Sequence, residues 1–240
     1  MKLYCIGVGP GNPELLTCEA LKILNKADII FSGQSAQSGY KIAENSIFHL
    51  IRDKKIISFE YARRQDNDTK KHWEETADMI LNETHNLKTA AIITTGDPTI
   101  FSSFMIIKNM LESKGVETEI INGVTSITAT AKALGTSLLM KDEALIVISG
   151  THPHRTKQYK TLLSMGNTVI FLKGLRGLRK LTFEDPEVAN LQAAFIKNAS
   201  MANEEVYRGT LKEIFDNFYV GRATIMVKKS WQQNNLITLN

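Results

Sequence analysis

The sequence predicts an α/β protein with largely parallel sheets, and three observations lead there. Short β-branched runs recur along the 240 residues, at 2–8, 27–32, 55–59, 89–95, 117–121, 144–149, 168–172, 192–197 and 223–228. Amphipathic stretches with a helical period lie between several of them, the pattern of strands joined by crossover helices. Three of the apolar runs also end in glycine-containing turns, at Gly9, Gly96 and Gly123. Ligands of α/β sheets gather at such carboxyl ends of strands.

The elements follow in order. The opening MKLYCIGVGPG has one early Lys but reaches glycines after a few apolar residues, with no small-residue cleavage site. It reads as a first core strand and not as a signal peptide, so a cytoplasmic protein is expected. Residues 13–25 place Leu15, Leu16, Ala20, Ile23 and Leu24 along one side of a helix. Asn12 is its expected N-cap, with Pro13 at the first helical position and Glu14 in the first turn. Residues 69–86 form a polar helix with Trp73, Ala77, Ile80 and Leu81 inward, Trp73 being a core anchor. Residues 102–113 form a more apolar helix closed by Lys114-Gly115. Residues 125–134 form a short one, rich in small residues, that ends at Gly135. The Lys114-Gly115 turn lies near the midpoint with strands on either side. It suggests two α/β domains, 1–114 and 115–240, with a ligand cleft between them.

Composition excludes several classes of function. A hydrophobic content of 43% with 22% charged residues is that of an ordered globular chain. No apolar run reaches membrane-spanning length. The net charge of +4 is mildly basic, but no Lys/Arg run is interleaved with aromatics, so nucleic acid is not an expected partner. An anionic small molecule suits the charge equally well. Cys5 and Cys18 are too few and too far apart for a disulfide framework or thiolate metal site, and both read as small buried residues. His152-Pro153-His154 has no partnering Cys or carboxylate cluster and reads as a loop. His49, His72 and His85 are scattered, so no metal is expected.

Gly7-Val8-Gly9-Pro10-Gly11-Asn12 sits where a strand turns into a helix, but it is not a dinucleotide fingerprint. The third glycine of G-x-G-x-x-G is replaced by Asn12, and Pro10 removes a backbone N–H from the loop that should cradle a pyrophosphate. The second strand also ends without an acidic residue for a ribose hydroxyl. The loop is either a tight turn that binds nothing or a place where backbone passes close to a ligand. Gly96-Asp97-Pro98, after the buried-type strand 89–95, and Asn122-Gly123-Val124-Thr125-Ser126, after 117–121, favour the second. Three strand ends carry ligand-facing chemistry and could share one crevice.

In order and spacing, GVGPGNPELLT, TTGDPTIFSSF and INGVTSITATAKALG resemble the motifs of the tetrapyrrole (corrin/porphyrin) methylase family, whose usual forms are GxGPGDPELLT, GDPxxYS and PGVSS. Asn198-Ala199-Ser200 leading to Val206–Leu211 is similar to the family's C-terminal loop. The resemblance covers nearly the whole chain. Within the family, the chain looks most like methyltransferases acting at C20 of precorrin-2 or cobalt-factor II. That likeness rests on its length, the GDPTIFSSF variant, Trp73-Glu74-Glu75 and Asp142-Glu143-Ala144-Leu145.

The resemblance implies a two-domain fold unlike Rossmann-type methyltransferases, S-adenosylmethionine as methyl donor, a tetrapyrrole acceptor and a homodimer. Carried onto this chain, it places Pro10 beside both donor and tetrapyrrole. Thr95, Gly96 and Asp97 would meet the donor's amino-acid end, with Ile100 packed beside it. Thr125 and Ser126 would hydrogen-bond the donor. Leu172, where the family usually has Met, and Ala199 would face the adenine. Asn12 replaces a usual Asp and Asn122 a usual Pro; neither removes a group the chemistry needs. Arg63 and Arg64 are the candidates for the acceptor's carboxylates, with Lys70 and Lys71 nearby and Arg176, Arg179 and Lys180 in the second domain. No catalytic base can be named. Asp97→Ala is expected to abolish donor binding and leave the fold intact. Two alternatives stay open: another acceptor (a different corrin position, uroporphyrinogen III, a ribosomal RNA ribose or the diphthamide precursor), or a catalytically silent binding module. Intact Pro10 and Gly96-Asp97-Pro98 speak against the silent module.

Overall fold

Successive strand residues point to opposite faces, and this alternation builds the first half of the chain. In β1 (Lys2–Gly7), Leu3 and Cys5 join one apolar cluster and Ile6 the other. β2 (Ile29–Gln34) and β4 (Thr89–Thr94) divide in the same way, so this sheet is buried on both faces. With β3 (Lys55–Glu60) and β5 (Glu117–Ile121) they form a five-stranded sheet in the order β3-β2-β4-β1-β5, every pairing parallel. The computed structural model describes residues 1–34, 41–61, 69–218 and 223–233.

Helices α1 (Cys18–Lys26) and α2 (Ile42–Ile51) cover one face through Ala20, Leu24, Ala43, Ile47 and Ile51. Helices α3 (Thr69–Glu83) and α4 (Phe104–Ser113) cover the other through Trp73, Ala77, Ile80, Phe104, Ile107 and Leu111. Phe104 is fully buried, so truncation to Ala would cost about 3–5 kcal/mol. Trp73 is in the core, edge-on to Tyr61 and His72, as expected. Asn12 caps only a single 3-10 turn (Pro13–Leu15), and Thr17 is the N-cap of α1 itself, its hydroxyl accepting from Ala20 N at 3.2 Å. Cys5 is buried, but Cys18 is exposed at the start of α1, against the expectation that both would be interior.

The chain divides into Met1–Thr125 and Ser126–Asn240, not at residue 114. The Lys114-Gly115 turn is a connection inside a crossover: β5, which follows it, pairs with β1 of the first sheet.

The second sheet is mixed. Its strands β6 (Leu145–Ser149), β7 (Thr168–Leu172), β8 (Gln192–Lys197), β9 (Glu205–Thr210) and β10 (Ala223–Lys228) lie in the order β6-β7-β10-β8-β9, and only β6 and β7 pair in parallel. The expectation of largely parallel sheets therefore fails here, because β10 returns between β7 and β8 and runs against both. One face is covered by α6 (Thr156–Met165), α7 (Arg176–Glu184), α8 (Pro186–Ala189) and α9 (Leu211–Asn217), packed over Phe171, Phe195 and Ile225. Thr210 and Glu213 form a reciprocal capping box at α9. Helix α5 (Ser126–Leu134) lies over β8 and β10, and α10 (Lys229–Gln233) follows β10. Lys228, 3% exposed, is partnered in the interior: its Nζ donates to Ser137 O at 2.7 Å and lies 3.6 Å from the Glu143 carboxylate. No helix among the described residues is long and apolar enough to cross a membrane.

Candidate functional site

The strand order of the first unit creates a switch point. From β1 the chain crosses β4 to reach β2, whereas from β4 it crosses β1 to reach β5. Adjacent strands whose connections leave in opposite directions open a crevice at their carboxyl ends, the place where open α/β sheets bind ligands. The Gly7–Asn12 and Gly96–Pro98 turns occupy that place.

Backbone alone joins the turns there. Gly9 and Gly96 exchange both peptide hydrogen bonds, Gly9 N to Gly96 O at 3.3 Å and Gly96 N to Gly9 O at 2.7 Å. Their φ angles of +80° and +74° are open to glycine at little cost and strained for other residues. The turn after β5 packs onto the same point. A Cβ on Gly123 would lie 2.2 Å from Gly96 O and 2.7 Å from Gly7 O, and one on Gly7 would lie 2.5 Å from Gly96 O. Three turns distant in sequence thus interlock through glycine. On its other side Gly96 is open: among the described residues, no atom beyond its chain neighbours lies within 4 Å of where its Cβ would stand, although the residue is buried. That space suits a ligand that approaches main chain.

Asp97 holds the junction in register. Its Oδ1 accepts from Thr99 N at 2.8 Å and from the Thr99 hydroxyl, and its Oδ2 accepts from Gly123 N at 3.0 Å and Asn122 Nδ2 at 3.1 Å. The residue is 7% exposed. Burial is the largest single influence on its carboxyl and pushes the pKa up. The hydrogen bonds from Thr99, Asn122 and Gly123 together outweigh it and hold the pKa below the usual carboxylate range. The two bonds on Oδ1 brace the β4 turn internally, and the two on Oδ2 tie it to the β5 turn. Asn122, in place of the family's Pro, adds a donor that Pro could not.

Beside the end of β4 lies a half-buried phenol. Tyr61 bonds to Thr94, and burial raises its pKa despite that bond. Thr94 Oγ1 lies 3.3 Å from Ser102 Oγ, which accepts from Phe104 N.

The structure brings Pro10, Gly96, Asp97 and the β5 turn leading to Thr125 to one edge of the first sheet. Pro10 is buried, Thr95 is exposed, and Ile100 and Thr125 are half-buried. In the second unit, Ser126 is half-buried at the start of α5. Leu172 and Ala199 are buried at the ends of β7 and β8. Both strands run against β10, so these ends share one edge of the second sheet. Lys173, Asn198 and Ser200 there have positive φ. Arg63 and Arg64 lie outside the described residues. Lys70 and Lys71 are exposed and lie near Glu74 and Glu75. Arg179 lies over the Phe183 ring and Lys180 lies 3.7 Å from Glu184, while Arg176 is exposed on α7. No cluster of three metal-ligating side chains occurs among the described residues. Reading the sequence placed Asn122 in the third turn without its bond to Asp97, and missed Thr99 and Tyr61 as parts of the site. Only Asp97-x-Thr99, a common turn pattern, carried a local signal for any of them.

The fold, a first α/β unit followed by a second, is shared with solved methyltransferases. A cobalt precorrin-4 methyltransferase of cobalamin biosynthesis superposes with a TM-score of 0.74 at 24% identity, over 95% of this chain and 94% of that one. The uroporphyrin-III C-methyltransferase of Thermus thermophilus in complex with S-adenosylhomocysteine gives 0.72 at 19% identity, over 97% and 100%. The pattern of the Tetrapyrrole (Corrin/Porphyrin) Methylases matches residues 2–214, and the chain belongs to that family. It is an S-adenosylmethionine-dependent methyltransferase of tetrapyrrole biosynthesis. Among curated relatives, a probable cobalt-precorrin-2 C(20)-methyltransferase of Methanocaldococcus jannaschii is 34% identical over 93% of this chain and 95% of its own length. The cobalt-precorrin-2 C(20)-methyltransferase of Salmonella typhimurium is 26% identical over 96% and 98%.

Proposed function

We propose that the chain methylates C20 of precorrin-2 or its cobalt-loaded counterpart. The observation that carries methyl transfer is the open space beside buried Gly96, framed by the Asp97 bonds to the β5 turn. The choice of acceptor is supported by the two C20-methyltransferases among the relatives.

The donor supplies a sulfonium methyl that is already electrophilic. As the new carbon–carbon bond forms, the carbon–sulfur pair stays on sulfur, and the methylated carbon later loses a proton. Positioning is therefore the main demand on the protein. Thr95 and the Gly96 backbone bind the amino-acid end, and Ile100 and Pro10 supply apolar contact. Asp97 orients Gly96 and Gly123 and has few lone pairs left for a ligand. Thr125 and Ser126 hydrogen-bond the donor, and Leu172 and Ala199 serve its adenine. Arg63 and Arg64 recognise acceptor carboxylates. The working form is a cytoplasmic homodimer, for which a solution mass is the check.

A second reading keeps the donor and changes the ring position or macrocycle. A C(11)-methyltransferase of Priestia megaterium and a uroporphyrinogen-III C-methyltransferase of Methanobacterium ivanovii, each 26% identical, favour it over non-tetrapyrrole acceptors. Incubation with isotope-labelled donor and, in separate reactions, precorrin-2, cobalt-factor II, uroporphyrinogen III or ribosomal RNA, followed by NMR location of the methyl, separates the two. Label at C20 of the first pair is expected; label only on uroporphyrinogen III, or only on RNA, refutes the C20 proposal.

A further inference from the structure

The turn after Asp97 holds an aromatic ring in a costly position. Phe101 has φ +49° and is 43% exposed. A left-handed backbone is rare for a bulky side chain, and a solvated ring forgoes the stabilisation that burial gives. The backbone strain opposes the folded state, and the exposed ring gains little burial to offset it. The chain on either side is well anchored: Thr99 bonds to Asp97 on one side, while Ser102 Oγ accepts from Phe104 N and the Phe104 ring is fully buried on the other. The ring is therefore held out by its neighbours and is not a frayed end. The other positive-φ residues besides glycine, Lys141, Lys173, Asn198 and Ser200, are polar, so Phe101 is the one apolar case among the described residues. Ile106, one turn further on, is also 43% exposed. Persistent strain of this kind collects at ligand-handling sites.

We propose that Phe101 is an acceptor-facing specificity residue, its ring an apolar wall for the carbon skeleton of the tetrapyrrole. The inference rests on the tetrapyrrole methyltransferase reading above and extends it to a side chain that has no role in holding the donor. Chemistry selects the acceptor. The donor's amino-acid end, ribose and adenine call for hydrogen-bonding groups, and Phe101 offers none. A macrocycle fringed with carboxylates still has broad hydrocarbon faces and edges, and these match an exposed ring.

The test compares wild type with Phe101→Gly, Phe101→Ala and Phe101→Tyr in steady-state methyl transfer, donor calorimetry and thermal unfolding. Phe101→Gly relieves the backbone and should melt no lower than wild type. Its acceptor KM should rise at least tenfold, and its donor Kd should stay within twofold. Phe101→Ala should lose acceptor affinity similarly, and Phe101→Tyr should remain within threefold of wild type throughout. Unchanged acceptor KM in the Gly and Ala variants overturns the inference. So does a parallel loss of donor affinity, or a fall in melting temperature that accounts for lost activity. A wild-type enzyme inert towards every tetrapyrrole would instead overturn the underlying reading, and this inference with it.

Discussion

Gly123→Ala tests the glycine junction most directly. The added Cβ would stand 2.2 Å from Gly96 O and 2.7 Å from Gly7 O, both main-chain atoms that no rotamer change can move. Real Cβ atoms keep at least 3.0 Å, so the β4 and β5 turns must part by at least ~0.8 Å. Overpacking of this kind costs about 1–3 kcal/mol of stability. A misplacement near 1 Å can cost a reaction about 10²-fold. The expected outcome is a modest drop in melting temperature and a loss of donor affinity or turnover approaching two orders of magnitude. Gly115→Ala is the control. At φ +84° with open space around it, it adds backbone strain of roughly 1–2 kcal/mol without moving the turns. Calorimetry with donor on both variants, beside urea unfolding, separates strain from displacement. Wild-type affinity and turnover in Gly123→Ala, or equal losses in Gly115→Ala, would refute the argument.

Other expectations follow from neighbouring groups. Asp97→Ala should lose donor binding and also destabilise the protein by about 2–4 kcal/mol in urea unfolding, because it strands donors that now bond a buried carboxylate. The expectation of an intact fold is revised accordingly, and a variant as stable as wild type would contradict the clamp. Asp97 also makes stability acid-sensitive. Its folded pKa lies below the unfolded value of about 3.9, so its contribution is complete above that pH and is lost as pH falls through the lower, folded value. Unfolding free energies should therefore fall more steeply for wild type than for Asp97→Asn over that window, and equal slopes would assign the acid response to other groups. A thiol reagent should titrate a single cysteine in the native protein. Cys18 is exposed, whereas Cys5 is buried with its thiol pushed up to about 12 by desolvation, so its release should require denaturant; two thiols reacting natively would refute this.

Strands buried on both faces were legible because runs such as Ala90–Thr94 have no other comfortable place in an α/β protein. β9 was not, since Glu-Val-Tyr-Arg-Gly-Thr forms a half-exposed edge strand and lacks a hydrophobic face to read. The direction of β10 was equally hidden: alternation reports which face a residue occupies and is silent on which way its neighbour runs. At the site, the glycines and Asp97 could be picked out locally, as turn residues at strand ends. Their mutual contacts could not, because four strand-to-strand connections lie between Gly7 and Gly123. The same holds for Asn122, which looks like a lost proline until its amide is seen on Asp97.

Because the Gly9 and Gly96 peptides bond each other and Gly123 N is tied to Asp97, these turns should open only when the first sheet itself opens. Binding loops in many enzymes exchange their amide hydrogens readily; here the Gly96 and Gly123 amides should be among the slowest in the molecule. A methyl donor would then meet a seat already formed, and little of its binding free energy would be diverted to ordering the protein.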